Sequence, residues 1–295
     1  DPHQVKVKEL LSNIKGVPPG NIFLGNGSDE CIDLLYRAFC NPGKDNTIIS
    51  PPTYGMYEVS AEINDVEVRK ATLTEDFQPD LEKMAALVDE NTKIIWLCSP
   101  NNPTGNAIHH QRVEMILNNF DGLVVIDEAY INFSRQQSFI KELTEYPNLV
   151  VLQTMSKAWG LAGLRVGMAF AGEAVTEALN RIKPPYNISQ PTQDLLLKAL
   201  KETDAVNEKI REIVSLRDLL AANLSKLPSV KKVYPSDANF LLVKMDNARA
   251  VYESLLNLGI VVRDRSKVVL CNDCLRITVG KKVENDELLR ALGIT

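Results

Sequence analysis

The sequence predicts an α/β protein, with a mostly parallel central sheet that carries one antiparallel strand and is covered by helices, followed by a smaller C-terminal α+β domain. Three observations carry that prediction. Apolar, β-branched runs alternate with helical patterns over the first two thirds of the chain, polar turns cluster just past the carboxyl ends of those runs, and prolines interrupt the pattern at KPPYNISQPTQ, residues 183–193.

The strand candidates in order are NIFLG (21–25), NTIIS (46–50), VEVRKA (66–71), KIIWLCS (93–99), LVVIDEA (123–129) and LVVLQT (149–154). Helix-like segments such as SDECIDLLYRAF and HQRVEMILNNF lie between them, as in a parallel sheet covered on both faces. The next candidate, LRVGMAFA, begins at Leu164, only ten residues after Thr154. A parallel crossover with its helix needs about a dozen residues or more, so this strand is expected to be antiparallel.

Beyond the prolines, Ile210, Ile213, Val214, Leu220, Leu224 and Leu227 recur at helical spacing. VKKVYPSDANFLLVKM, ARAVYESLLNLG, VVRDRS and CLRITVG then alternate in the manner of a small α+β unit. The expected division is a large domain over 1–205 and a small one over 206–295, starting inside the long helix. No internal repeat or low-complexity segment is visible.

Composition limits the function. With 295 residues, 45% hydrophobic and 24% charged, the chain can bury a substantial core. A formal net charge of −5 without a Lys/Arg block argues against nucleic acid as a partner. No apolar run approaches the roughly 20 residues that span a bilayer, and DPHQVKVKELL lacks a signal-peptide layout. A soluble protein with no membrane partner is expected.

The five cysteines, Cys31, Cys40, Cys98, Cys271 and Cys274, suit a reducing compartment, the cytoplasm or a plastid stroma, better than a disulfide framework. The CNDC pair, Cys271 and Cys274, reads as a turn before a strand or as half a metal or redox site. No second pair exists, and His3, His109 and His110 sit in no ligand spacing, so no metal is expected.

Five polar turns follow the strands: GNGSDE, PPTYGMY, PNNPTG, DEAY and SK. In an open α/β sheet that edge is where ligands bind. GNGSDE leads into a helix, so Gly27, Ser28 and Asp29 form either an ordinary N-cap or an anion site. Asp127 ends a very apolar strand, where a carboxylate costs several kcal/mol unless it meets a cation or strong donor.

Lys157 sits near the same crevice, where burial favours its nucleophilic amine form and a Schiff base with a carbonyl becomes accessible. Thr154, Ser156 and Arg165 add two hydroxyls and a guanidinium fork beside it. One ligand meets all these groups together, with an aldehyde for Lys157, a phosphate for Ser28, Ser156 and Arg165, and a basic ring nitrogen for Asp127. That ligand is pyridoxal 5′-phosphate.

PPTYGMY, SPNNPTG, VVIDEAY, SKAWGLAGLRVG and CLRITVG, in that order and spacing, resemble the aspartate-aminotransferase superfamily of pyridoxal-phosphate enzymes, fold type I. Within it they look most like the histidinol-phosphate aminotransferases, from DPHQ to the final helix. The resemblance implies that Lys157 anchors the cofactor covalently and moves the substrate proton, and that Asp127 pairs with the pyridinium nitrogen. It implies that Tyr130 and Asn102 hydrogen-bond the ring's phenolic oxygen and that Tyr54 stacks on the ring. Gly27, Ser28, Asp29, Thr154, Ser156 and Arg165 surround the phosphate in this scheme.

The resemblance also places Arg276 and Arg263 at the acidic end of the substrate, beside Tyr54 and Asn102. Two guanidinium forks suit a phosphate monoester and still accept glutamate. Without the resemblance, Arg263 reads equally as a solvated charge in an exposed turn with Arg265 and Lys267. In relatives DPHQ is preceded by an arm and an RYP tyrosine that reaches the other subunit's cofactor phosphate, whereas this sequence starts at Asp1. The inventory of substrate contacts is therefore expected to be incomplete.

The function implied is transamination between L-histidinol phosphate and 2-oxoglutarate, giving imidazole-acetol phosphate and glutamate in histidine biosynthesis, by a homodimer with active sites at the interface. Two alternatives share the superfamily: an aminotransferase for aromatic or other amino acids, and a phospho-amino-acid decarboxylase. A third, of another class, is a non-catalytic pyridoxal-phosphate sensor or scaffold. The presence of Lys157, Asp127, Tyr130 and Asn102 together argues against that one.

Overall fold

The computed structural model describes residues 1–293. Seven strands form the first sheet: β1 Ile22–Asn26, β2 Asn46–Ile49, β3 Glu67–Lys70, β4 Thr92–Cys98, β5 Leu123–Asp127, β6 Leu149–Thr154 and β7 Val166–Ala171. Their spatial order is β1-β7-β6-β5-β4-β2-β3. β7 is antiparallel to both neighbours, β1 and β6, and every other pairing is parallel. The short connection from β6 to β7 contains only a single 3-10 turn, Ala162–Leu164, which accounts for the reversal.

Side chains alternate across this sheet, and both faces are apolar. One face carries Leu24, Ile95, Leu97, Val124, Ile126 and Val151 and packs against the helices Val5–Lys15, His110–Asn119 and Gln190–Ala199. The other carries Phe23, Trp96, Val125, Val150 and Leu152 and packs against Ser28–Phe39, Met56–Ile63 and Glu173–Ile182. The alternation decides where the two carboxylates after Ile126 go. Asp127 shares the face of Val125 and meets the helix Met56–Ile63, whereas Glu128 meets Gln153 and Ser138 on the opposite side.

The second sheet has four antiparallel strands in the order β10-β11-β9-β8, with β8 Val230–Val233, β9 Phe240–Met245, β10 Arg263–Asp264 and β11 Cys274–Thr278. The helical pattern after the prolines resolves into two helices, Gln190–Ala199 and Thr203–Leu224. Leu227, expected on the long helix, lies three residues past its end but still joins the small core. The expected division at 205/206 falls in the first turn of that helix. Its Ile210, Ile213 and Val214 pack on Tyr130, Phe133 and Phe240, and its Leu220 and Leu224 pack under the second sheet.

Among the described residues, no helix is long and apolar enough to cross a membrane, and no group of three or more His, Cys, Asp or Glu side chains could hold a metal ion. All five cysteines are buried and free.

Candidate active site

The carboxyl edge of the parallel strands and the face of the second sheet enclose one cavity of about 370 Å³. Ser28, Asp29, Tyr54, Asn102, Asp127, Tyr130, Thr154, Ser156, Lys157, Arg165, Arg263 and Arg276 all line it. Residues spread over 248 positions of sequence, from Ser28 to Arg276, are thus brought to one place.

At one end lies the N-terminus of the helix Ser28–Phe39, whose N-cap is Gly27. No side chain caps it, and the Ser28 hydroxyl is buried without a hydrogen-bond partner. Two glycines make room. Gly27 has φ +79°, and a Cβ there would stand 2.4 Å from Nη2 of Arg165. A Cβ on Gly167 of β7 would meet the Ser28 amide nitrogen at 2.3 Å, so the helix end seats directly on that strand.

Arg165 adopts φ +53°, unusual for a residue with a side chain, and its guanidinium meets Asp29 Oδ2 at 3.4 Å. Asp29 also accepts a hydrogen bond from the Tyr54 hydroxyl at 3.0 Å, so its carboxylate fastens a ring and a cation at this end. The Thr154 hydroxyl donates to the Val166 carbonyl at 3.3 Å and accepts from the Ser156 amide at 3.1 Å. It braces the turn that presents Ser156 and Lys157. Free amides at a helix N-terminus, an unpartnered hydroxyl and a guanidinium form an anion seat.

Asp127 is 3% exposed, and burial raises its pKa above the ordinary carboxylate value. Two donors oppose that rise: the Tyr57 hydroxyl, 2.7 Å from Oδ2, and the Ala129 amide, 3.0 Å from Oδ1. Lys157 assists from across the cavity. Each carboxylate oxygen is held, so the group is aimed as well as buried.

Lys157 makes neither an ion pair nor a hydrogen bond with its side chain among the described residues; its Nζ stands 5.4 Å from the centroid of the Tyr130 ring. Burial and the nearby Arg276 lower its pKa, against the opposing pull of Asp127 and Asp29. The neutral amine is thereby easier to reach than in a fully solvated lysine. Burial also pushes the Tyr130 phenol up to about 12, so it remains a donor at neutral pH. Arg276 donates to Asn102 Oδ1 at 2.6 Å, and Arg276 and Tyr130 both pack on the ring of Phe240.

The aminotransferase class I and II family matches residues 4–292. The chain belongs to that family. A histidinol-phosphate aminotransferase from Parabacteroides distasonis is 53% identical over 99% of this chain and 85% of its own length. One from Christiangramia forsetii is 52% identical over 99% of this chain and 83% of its own. Among solved structures, histidinol-phosphate aminotransferase from Sinorhizobium meliloti, in complex with pyridoxal-5′-phosphate, aligns with a TM-score of 0.88 at 26% identity, covering 99% of this chain and 81% of that one.

The aminotransferase site fits pyridoxal phosphate on its own geometry. The orphaned Ser28 hydroxyl and the space kept by Gly27 suit a phosphate. The buried, doubly held Asp127 suits a protonated ring nitrogen, and the unpaired amine of Lys157 suits an aldehyde.

Three residues of the aminotransferase site escape a reading of the sequence. Tyr57 donates to Asp127 from beneath the cavity, but its place in PPTYGMY shows only an aromatic residue three positions after Tyr54. Cys98 ends β4 beside Asp127 and lines the cavity. Arg265 lines it too, although Arg265 and Lys267 read together as solvated charge. The spacing of Arg263 and Arg265, two apart on an extended segment, was the available signal.

Proposed function

We propose that the protein is a pyridoxal-phosphate-dependent aminotransferase that exchanges the amino group between L-histidinol phosphate and 2-oxoglutarate in histidine biosynthesis. The observation that carries the substrate assignment is the match to histidinol-phosphate aminotransferases at 52–53% identity over 99% of the chain. The cavity supports it, because Arg263 and Arg276 line it together with the residues of the anion seat.

Bound in this cavity, pyridoxal phosphate supplies an aldehyde that exchanges amino groups and a pyridinium ring that accepts electrons when the substrate's C–H bond breaks. Ser28, Ser156 and Arg165 hold its phosphate, Ser28 and Asp29 contributing backbone N–H groups. Asp127 keeps the ring nitrogen protonated because a buried carboxylate gains most from a cationic partner. Tyr54 covers the ring, and Tyr130 and Asn102 address its phenolic oxygen.

Lys157 acts as the covalent anchor and then as the base. Burial, and after it Arg276, lower the pKa of its amine from the ordinary lysine value, and Nζ takes up the proton that the substrate carbon loses. Arg276 and Arg263 orient the substrate by its phosphate, or by the carboxylate of glutamate in the other half-reaction. The hydrogen bond from Arg276 to Asn102 ties substrate binding to the ring's environment. The chain acts as a homodimer with its active sites at the interface, as the resemblance implies.

Steady-state transamination of histidinol phosphate beside phenylalanine and tyrosine tests the assignment. Turnover of histidinol phosphate with 2-oxoglutarate at the higher kcat/KM is expected. Strong turnover of the aromatic amino acids with none of histidinol phosphate would overturn it.

A further inference from the structure

The arginines at the far side of the cavity share one face of the second sheet. Arg263 of β10 lies directly opposite Arg276 of β11 in the antiparallel register. The ladder continues one step further, where the Arg265 amide donates to the Cys274 carbonyl at 2.9 Å. Strand alternation then turns Arg265 to the same side as Arg263, and all three line the cavity.

This arrangement is costly without an anion. Like charges directly opposite on a ladder destabilise it. No carboxylate relieves these three, for none forms an ion pair among the described residues, and the intervening Asp264 pairs with Arg249 at 3.3 Å. The Nε atoms of Arg265 and Arg276 are both closed off from solvent without a hydrogen-bond partner. Burial lowers the pKa of Arg276, and Arg265 and Arg263 add to that lowering.

An anion relieves the repulsion and the unmet donors together. A carboxylate brings a single charge and two oxygens. A phosphate monoester brings three acceptor oxygens and nearly two charges at neutral pH. Three guanidinium groups therefore match the phosphate better than two do.

We propose that Arg265 is a specificity-determining residue which, with Arg263 and Arg276, selects a phosphate-monoester amino donor over a carboxylate one. This rests on the assignment of histidinol phosphate as substrate, and it adds the residue that sets the preference. Arg265 acts by direct contact with the phosphate, so its loss raises KM for the phosphorylated substrate more than it lowers kcat.

The test uses the cofactor-loaded protein and the variants Arg265→Gln, Arg265→Lys and Lys267→Gln. Calorimetric titration with inorganic phosphate reads binding directly, and kcat/KM is measured with histidinol phosphate and with glutamate. Arg265→Gln should weaken phosphate binding about tenfold or more, the scale of a lost charge-assisted hydrogen bond. It should lower kcat/KM for histidinol phosphate similarly, and change that for glutamate much less. Arg265→Lys, which keeps the charge but not the fork, should fall between, and Lys267→Gln should match wild type.

Unchanged phosphate affinity in Arg265→Gln would overturn the proposal. So would an equal loss for both amino donors, or the same loss in Lys267→Gln, which would point to a diffuse field. A wild-type protein that fails to turn over histidinol phosphate would overturn the substrate assignment instead, while the phosphate titration would still report on Arg265.

Discussion

Tyr57 reaches from the helix Met56–Ile63 to donate a 2.7 Å hydrogen bond to Asp127 at the end of β5. Its ring is stacked on Trp96 at 4.9 Å and meets Tyr54 edge-on at 5.6 Å. One aromatic column thus runs from the core to the ring expected to cover the cofactor, and its middle member aims the carboxylate.

Removing only the hydroxyl isolates that effect. The bond from Tyr57 lowers the pKa of Asp127 against burial, so Tyr57→Phe should raise it further. The acid limb of the kcat/KM profile should move to higher pH, and kcat should fall by about tenfold, the worth of one hydrogen bond to a charged group. An unmoved acid limb would show that Tyr57 serves packing alone.

Asp127 itself should weaken the cofactor-free protein. Its folded carboxyl holds a proton to higher pH than the ordinary 3.8, so the native state binds more protons and stability falls as pH rises through that window. Asp127→Asn should therefore unfold at a denaturant midpoint equal to or above wild type at pH 7 without cofactor. Its affinity for pyridoxal phosphate should drop by about a hundredfold, the cost of a buried charge pair broken on one side. Equilibrium unfolding and a spectroscopic cofactor titration check the two halves.

Glu128 gives a second pH signature, on the opposite face of the sheet. Burial lifts its pKa to about 7 from 4.5, against hydrogen bonds from Ser138, Gln153 and the Phe139 amide. The folded state again binds the extra proton, so this group's contribution to stability declines between about pH 4.5 and 7. Glu128→Gln should remove on the order of 1–3 kcal/mol of the difference between pH 5 and pH 8. Denaturant melts at the two pH values measure it.

Gly167→Ala probes the seat of the anion site. The new methyl would stand 2.3 Å from the Ser28 amide nitrogen and push the helix end off β7. Cofactor affinity should fall at least about tenfold, with a loss of roughly 1–3 kcal/mol in stability from overpacking. A variant that binds cofactor normally would place the phosphate elsewhere.

Much of this site was legible because each polar turn follows a strand whose apolar pattern is unambiguous, as with DEAY after LVVIDEA. The antiparallel β7 was legible from a loop too short for a crossover. What escaped depends on tertiary packing. Tyr57 acquires its role only when its helix docks on the face that carries Asp127, and Arg265 only when β10 takes its register against β11. Asp29 illustrates a third kind of gap. Its place at a helix N-terminus suggested mainly backbone N–H groups, yet its carboxylate holds both Tyr54 and Arg165.

The proposed function requires that Lys157 hold pyridoxal phosphate covalently in this cavity. The most direct measurement is to load the protein with the cofactor, reduce it with borohydride, digest it and locate the added mass. A yellow protein whose label falls on the peptide bearing Lys157 is expected, with no label and about a hundredfold or greater loss of turnover in Lys157→Ala. A colourless wild-type protein, or a label on another lysine, would contradict it.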